Sequence, residues 1–176
     1  EAPLPLAARN PEGVLYMGSF SKVLAPGLRL GFVVAPKSVY GKLVQAKQAA
    51  DLHTPSFNQR VVAEVMKDGF LARHIPTIRT LYKNQRDAML AALDQEMVGL
   101  GVSWTRPVGG MFLWVQLPEG MDAQALLPLA VERGMAFVPG APFFPSNPQH
   151  NCLRLSYVTV PPAQIAQGIA ALAAAI

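Results

Sequence analysis

Hydrophobic residues recur along the chain with two periods, and the change from one to the other sets out the elements. VLYM (Val14 to Met17) and LRLGFVV (Leu28 to Val34), apolar runs bounded by Gly and Pro, read as two short buried strands. After Val34 the period lengthens. Val39, Leu43, Ala46 and Ala50 fall at helical spacing, and a second helix runs from Pro55, which opens it, to Gly69, which closes it. From Thr77 to Met97, the stripe Ile78, Tyr82, Met89, Leu93 and Met97 stands largely apart from Arg79, Lys83, Arg86 and Asp94, as in an amphipathic helix that Pro76 starts or kinks. The period returns to two in VSWTRPVGGMFLWVQLP, where Met111, Leu113, Val115 and Leu117 alternate with Phe112, Trp114 and Gln116 after a Gly109-Gly110 break. Asp122 is placed to cap a helix running to Gly134 in spite of Pro128. MAFVPG and CLRLSYV read as strands, and an Ala-rich helix follows Pro161.

Alternating strands and helices predict an α/β or α+β architecture, not a bundle or a sandwich. The order suggests the tail of an α/β domain over residues 1–73 and a small α+β domain over residues 74–176. Composition agrees: 176 residues, 51% hydrophobic and 15% charged, suffice for one or two packed domains. The net charge of +4 comes from Lys and Arg spread along the chain with no basic run, so nucleic acid is not the default partner. One cysteine, Cys152, cannot form an internal disulfide, and no apolar run reaches the roughly 20 residues of a membrane helix. The cytoplasm is the expected compartment. The opening EAPLPLAARNPEG lacks both a Met and a leader pattern, so the chain reads as a piece of something longer.

Candidate chemistry gathers in GSFSKVLAPGLRLGF, residues 18 to 32, which connects the first two strands. Serine hydroxyls and turn N–H groups donate to phosphate oxygens, an arginine fork adds a charge-assisted pair, and a lysine amine at the rim of such a cup would attack a carbonyl. The plainer alternative is a polar turn with a solvated lysine. Pro26 and Gly27 would turn the chain so that Arg29 points back.

The run S-F-S-K-V-L-A-P-G-L-R-L-G, Ser19 to Gly31, resembles the lysine signature of class I/II aminotransferases, the fold type I enzymes that use pyridoxal 5'-phosphate (PLP). LHTPSFNQ (Leu52 to Gln59), PVGGMFLWVQLP (Pro107 to Pro118), FVPGAPFF (Phe137 to Phe144) and NCLRLSY (Asn151 to Tyr157) are similar in kind and order to later blocks of that family. The nearest likeness is to 2-aminoadipate and kynurenine aminotransferases and to the aminotransferase-like domains of GntR-type regulators. The resemblance implies that Lys22 forms the Schiff base with PLP and moves the proton between the substrate Cα and the cofactor, while Ser19, Ser21 and Arg29 hold the phosphate. It further implies an amino-acid donor, an α-keto acid acceptor and a homodimer. Relatives place the acid for the pyridine nitrogen and the ring-stacking aromatic upstream of the lysine, and neither Glu1 nor Glu12 matches that acid. The chain therefore looks like the end of a large cofactor-binding domain plus the small C-terminal domain. A regulator that binds PLP without turnover is the alternative, with DNA as a partner only if a DNA-binding segment lies upstream; a module with no cofactor would make the cluster a coincidence.

Arg154 is the second candidate. Alternation puts Leu153, Leu155 and Tyr157 on one face of a strand and Cys152, Arg154 and Ser156 on the other, which suits an ion-paired or snorkelling arginine as well as a ligand-binding one. The resemblance assigns it the substrate α-carboxylate. Gly140 and Phe143 would belong to a loop at the same mouth, Gly140 allowing a turn and Phe143 walling the pocket or filling a core. His53, His74 and His150 show no metal-ligand spacing. Trp104 and Trp114 read as core or interface residues, and the scattered methionines as gap-fillers.

Overall fold

The structure, a computed structural model, describes residues 4–176. It divides into two compact units, the first ending at Pro76 and the second running Thr77–Ile176.

The first unit holds α1 (Leu6–Arg9), β1 (Tyr16–Ser19), β2 (Gly31–Val34), α2 (Lys37–Asp51), α3 (Ser56–Met66) and the start of α4 (Phe70–Glu96). β1 and β2 pair antiparallel, Tyr16 opposite Val34 and Ser19 opposite Gly31. Gly18 lacks a side chain where the Phe32 ring crosses it, so the two strands close without a clash. Both strands differ from the sequence pattern. The first starts at Tyr16 instead of Val14, and Leu28 to Leu30 are not strand, because Pro26–Leu28 forms a single 3-10 turn and Arg29 takes left-handed dihedrals.

The expectation of buried strands is overturned: Met17 is 73%, Val33 53% and Val34 59% exposed. Two strands alone have no second layer to cover their apolar side chains, however hydrophobic their sequence. Among the described residues of this unit, only Leu30, Pro36 and Val62 are buried.

Helices α2 and α3 fall where the periodicity puts them. α4 begins at Phe70 instead of Thr77, following a 3-10 turn, Lys67–Gly69, in which Gly69 has φ +70°. Pro76 lies inside the helix, where it withholds one N–H from the ladder without ending it.

The second unit contains the rest of α4, β3 (Ser103–Trp104), β4 (Phe112–Gln116), α5 (Ala123–Glu132), β5 (Val138–Pro139), β6 (Cys152–Ser156) and α6 (Pro162–Ala173). Its sheet has the order β3-β4-β6-β5, antiparallel throughout. The alternation read from the sequence holds: Leu113, Val115, Leu153, Leu155 and Tyr157 are at most 1% exposed and pack with Met89, Leu93 and Met97 of α4, Leu126 of α5 and Ile165 and Ile169 of α6. Asp122 caps α5 by accepting from the Gln124 N–H at 2.7 Å, satisfying one of the helix's orphan donors. The other face of β4 and β6, carrying Phe112, Trp114, Arg154 and Ser156, stays partly open. Cys152 departs from that face pattern, for it is 1% exposed against Gly140.

Candidate active site

In the first unit the serine-lysine-arginine cluster occupies the connection between β1 and β2. Pairing continues one step past the strands, with the Phe20 N–H on the Leu30 carbonyl at 3.1 Å. The chain then makes one helical turn, closed by the Leu24 N–H on the Phe20 carbonyl at 2.8 Å. The Ser19 hydroxyl donates to Ser21 Oγ at 2.9 Å and accepts from the Ser21 N–H at 3.1 Å, the local bonding that serine offers a tight turn. Two hydroxyls thereby share one edge. Lys22 is exposed and has no hydrogen-bond or ion-pair partner among the described residues.

Arg29 closes the connection at φ 51° and ψ 42°. A residue with a Cβ pays roughly 1–2 kcal/mol for that conformation, which glycine adopts freely. One Nη of its guanidinium donates to the Pro26 carbonyl at 3.2 Å. From α3, the Asn58 side chain donates to the Leu28 carbonyl at 3.1 Å and pins the 3-10 turn that precedes Arg29. Nothing in the sequence pattern marks Asn58 for that task.

A groove of about 620 Å³ in the same unit is lined by Phe20, Leu30, Phe32, Val44, Val62 and Met66 among others. Ser19, Ser21, Lys22 and Arg29 are not on its wall. The polar cluster is thus a surface turn and not a pocket within this unit.

In the second unit Arg154 lies on the open sheet face, directly opposite Trp114 in the β4–β6 register. Its guanidinium carbon is 4.1 Å from the Phe112 ring centroid and 4.9 Å from that of Phe143. No carboxylate among the described residues pairs with it. Arg106 shows the contrast, since it lies 5.8 Å from the Trp104 centroid and also pairs with Asp94. A cation over a ring is held by the ring's quadrupole and not by a carboxylate, so the guanidinium N–H donors are left without an anionic acceptor. The arrangement suits a carboxylate from outside.

The loop after β5 brings Phe143 to this face. Gly140 donates to the Cys152 carbonyl at 2.7 Å, and a Cβ there would stand 2.8 Å from Cys152 Cβ, the Cys152 carbonyl oxygen and Trp114 Cη2. Gly140 opens the 3-10 turn Ala141–Phe143 at φ −81°, so what the missing side chain supplies is room for the close approach and not a left-handed conformation. Trp114 meets Phe143 edge-on at 5.8 Å and Phe144 at 6.1 Å. The sequence pattern does not mark this aromatic cluster as a unit, although pairing the open faces of the two alternating strands brings Phe112 and Trp114 beside Arg154.

Of the remaining candidates, His74 stacks on Phe70 at 5.0 Å, and no group of metal-binding side chains occurs among the described residues. No described helix is long and apolar enough to cross a membrane.

The chain is 51% identical over 164 residues to a 2-aminoadipate transaminase of Thermus thermophilus, covering 93% of this chain and 41% of that protein. A solved structure of an α-aminoadipate aminotransferase from Thermus thermophilus, complexed with N-(5′-phosphopyridoxyl)-L-leucine, superposes with a TM-score of 0.91. It is 49% identical and covers 99% of this chain and 46% of that one. An uncharacterized HTH-type transcriptional regulator of Bacillus subtilis is 32% identical over 95% of this chain and 34% of its own length. The chain therefore spans less than half the length of the relatives it matches. The family model for aminotransferase class I and II matches residues 2–172, so the chain belongs to the class I and II aminotransferases.

Proposed function

We propose that this chain supplies the Schiff-base lysine, the phosphate-binding turn and the substrate-carboxylate arginine of a PLP-dependent aminotransferase. The observation that carries the reading is the β1–β2 connection, which sets two hydroxyls 2.9 Å apart, a lysine without a partner among the described residues and an arginine in a left-handed conformation on one short segment. Hydroxyl, guanidinium and amine are the donors a phosphate ester and an aldehyde require, so the residues fit PLP. When bound, PLP supplies an aldehyde that condenses with amines and a ring that draws electrons from the substrate Cα.

Within that chemistry Ser19, Ser21 and Arg29 hold the phosphate, each through an N–H or O–H donor. Lys22 is the amine nucleophile and would afterwards move the proton between the substrate Cα and the cofactor. Arg154 grips the α-carboxylate of the amino donor or keto-acid acceptor with the planar fork that lysine lacks. The first unit serves as the end of a large cofactor-binding domain and the second as the small C-terminal domain, in a homodimer.

Likeness to a transcription regulator supports a second reading, a PLP-binding effector domain without turnover, though at lower identity than the transaminase. One experiment separates them. In the full-length protein, Lys22→Ala should abolish both transamination of an amino acid and the visible absorption of bound PLP. A wild-type protein that shows the absorption but transfers no amino group to any α-keto acid favours the regulator, and turnover retained by the variant overturns the assignment of Lys22.

A further inference from the structure

The contacts of Arg154 carry a consequence for how the carboxylate is held. Ser156 and Arg154 share a face of β6, and Phe112 lies opposite Ser156, so Phe112 is the diagonal cross-strand neighbour of Arg154, within reach of a long side chain. Phe143 arrives from the 3-10 turn Ala141–Phe143, held down by Gly140 and braced edge-on by Trp114. Neither ring belongs to the hydrophobic core: Phe112 is 39% and Phe143 50% exposed.

We propose that Phe112 and Phe143 are positioning residues that hold the guanidinium of Arg154 against their rings, so that its N–H donors, which have no carboxylate partner among the described residues, are presented to a carboxylate from outside. The proposal rests on the reading of Arg154 as the carboxylate ligand. Elsewhere in this chain a neighbouring carboxylate engages the arginine, Asp87 for Arg86 and Asp94 for Arg106. A carboxylate beside Arg154 would occupy the donors and compete with the ligand. An aromatic ring restrains the same side chain without consuming a hydrogen bond. It also lowers the local dielectric, which strengthens the charge-assisted pair once the carboxylate arrives.

The test uses the full-length protein loaded with PLP, and as probe 4-methylpentanoate, which has a carboxylate and no amine. Phe143→Leu and Phe112→Leu should each weaken inhibition by the probe about threefold to tenfold. KM for the amino donor should rise by a similar factor while kcat changes less than twofold. Phe143→Tyr keeps the ring face and should retain wild-type affinity, which separates a positioning role from a loss of bulk. Arg154→Lys should lose probe affinity more severely than either Leu variant. If Arg154→Lys weakens the probe and both Leu variants leave it unchanged, the positioning role is overturned and the reading of Arg154 stands. If Arg154→Lys also leaves the probe unchanged, both are overturned. If a Leu variant lowers kcat as strongly as it raises KM, or if Tyr fails to rescue, the rings are structural and the proposal is wrong.

Discussion

The Tyr157 hydroxyl donates to the Gly109 carbonyl at 3.2 Å, tying the residue after β6 to the loop that leads into β4. Arg86 holds the same loop from α4 through the Pro107 carbonyl at 3.3 Å. Burial raises the Tyr157 pKa, so the phenol stays neutral and donating. Tyr157→Phe keeps the ring in the core and removes one neutral hydrogen bond, which should cost about 0.5–1.5 kcal/mol. Denaturant unfolding of wild type and variant measures it; an unchanged midpoint would show that the loop does not depend on the tether.

Arg29→Gly should separate function from stability. The substitution relieves left-handed strain and loosens the unfolded chain, effects of opposite sign and about 1 kcal/mol each. Loss of a charge-assisted phosphate contact should at the same time weaken PLP retention roughly tenfold to a hundredfold. Thermal unfolding of the cofactor-free protein and PLP titration together read both quantities. Unchanged PLP affinity would remove Arg29 from the phosphate site.

Gly140→Ala should destabilise the second unit by about 1–3 kcal/mol, because a Cβ meets backbone and ring atoms that cannot all retreat. The conformation itself is open to alanine, so the whole loss would be steric. A melting temperature equal to wild type would mean that the loop shifts freely.

Asp87 makes a pH prediction. Hydrogen bonds from Lys83 and then Arg86 hold its pKa below the ordinary aspartate value. A lowered folded pKa gives stability that is present above the unfolded pKa and is lost as pH falls through the folded one. Asp87→Asn should therefore be slightly less stable than wild type at neutral pH, with the difference vanishing in acid. A difference that persists unchanged in acid would assign the effect to packing.

Legibility of the sequence followed the range of the interactions involved. The alternation Leu113, Val115, Leu117 and the Asp122 cap were readable because a strand's inner face and a helix's first turn are local facts. Tyr16 to Ser19 and Gly31 to Val34 were recognisable as strands but not as exposed ones, since exposure depends on layers that composition does not record. α4 runs through Pro76 because neighbouring residues carry the helix past one missing donor, which a proline-based boundary misses. At the candidate site, the crowding of Ser19, Ser21, Lys22 and Arg29 was plain in one short run. The rings around Arg154 come from residues 112 and 143, and only the β4–β6 register and the Gly140 contact bring them together.

Exposed apolar residues on β1 and β2 predict the behaviour of the 176-residue chain expressed by itself. Met17, Phe32, Val33 and Val34 offer open faces and unpaired strand edges, which associate with other chains. Sedimentation should show dimers or larger species, with no transaminase activity. A strictly monomeric profile, or measured transamination, would contradict this.

Covalent mapping tests whether Lys22 is the lysine that binds PLP. The full-length protein is incubated with PLP, reduced with borohydride, digested and read by mass spectrometry. A phosphopyridoxyl mass is expected on the peptide containing Lys22, and its absence in Lys22→Ala. Label spread over surface lysines such as Lys37, Lys42 and Lys67, with none enriched at Lys22, would contradict it.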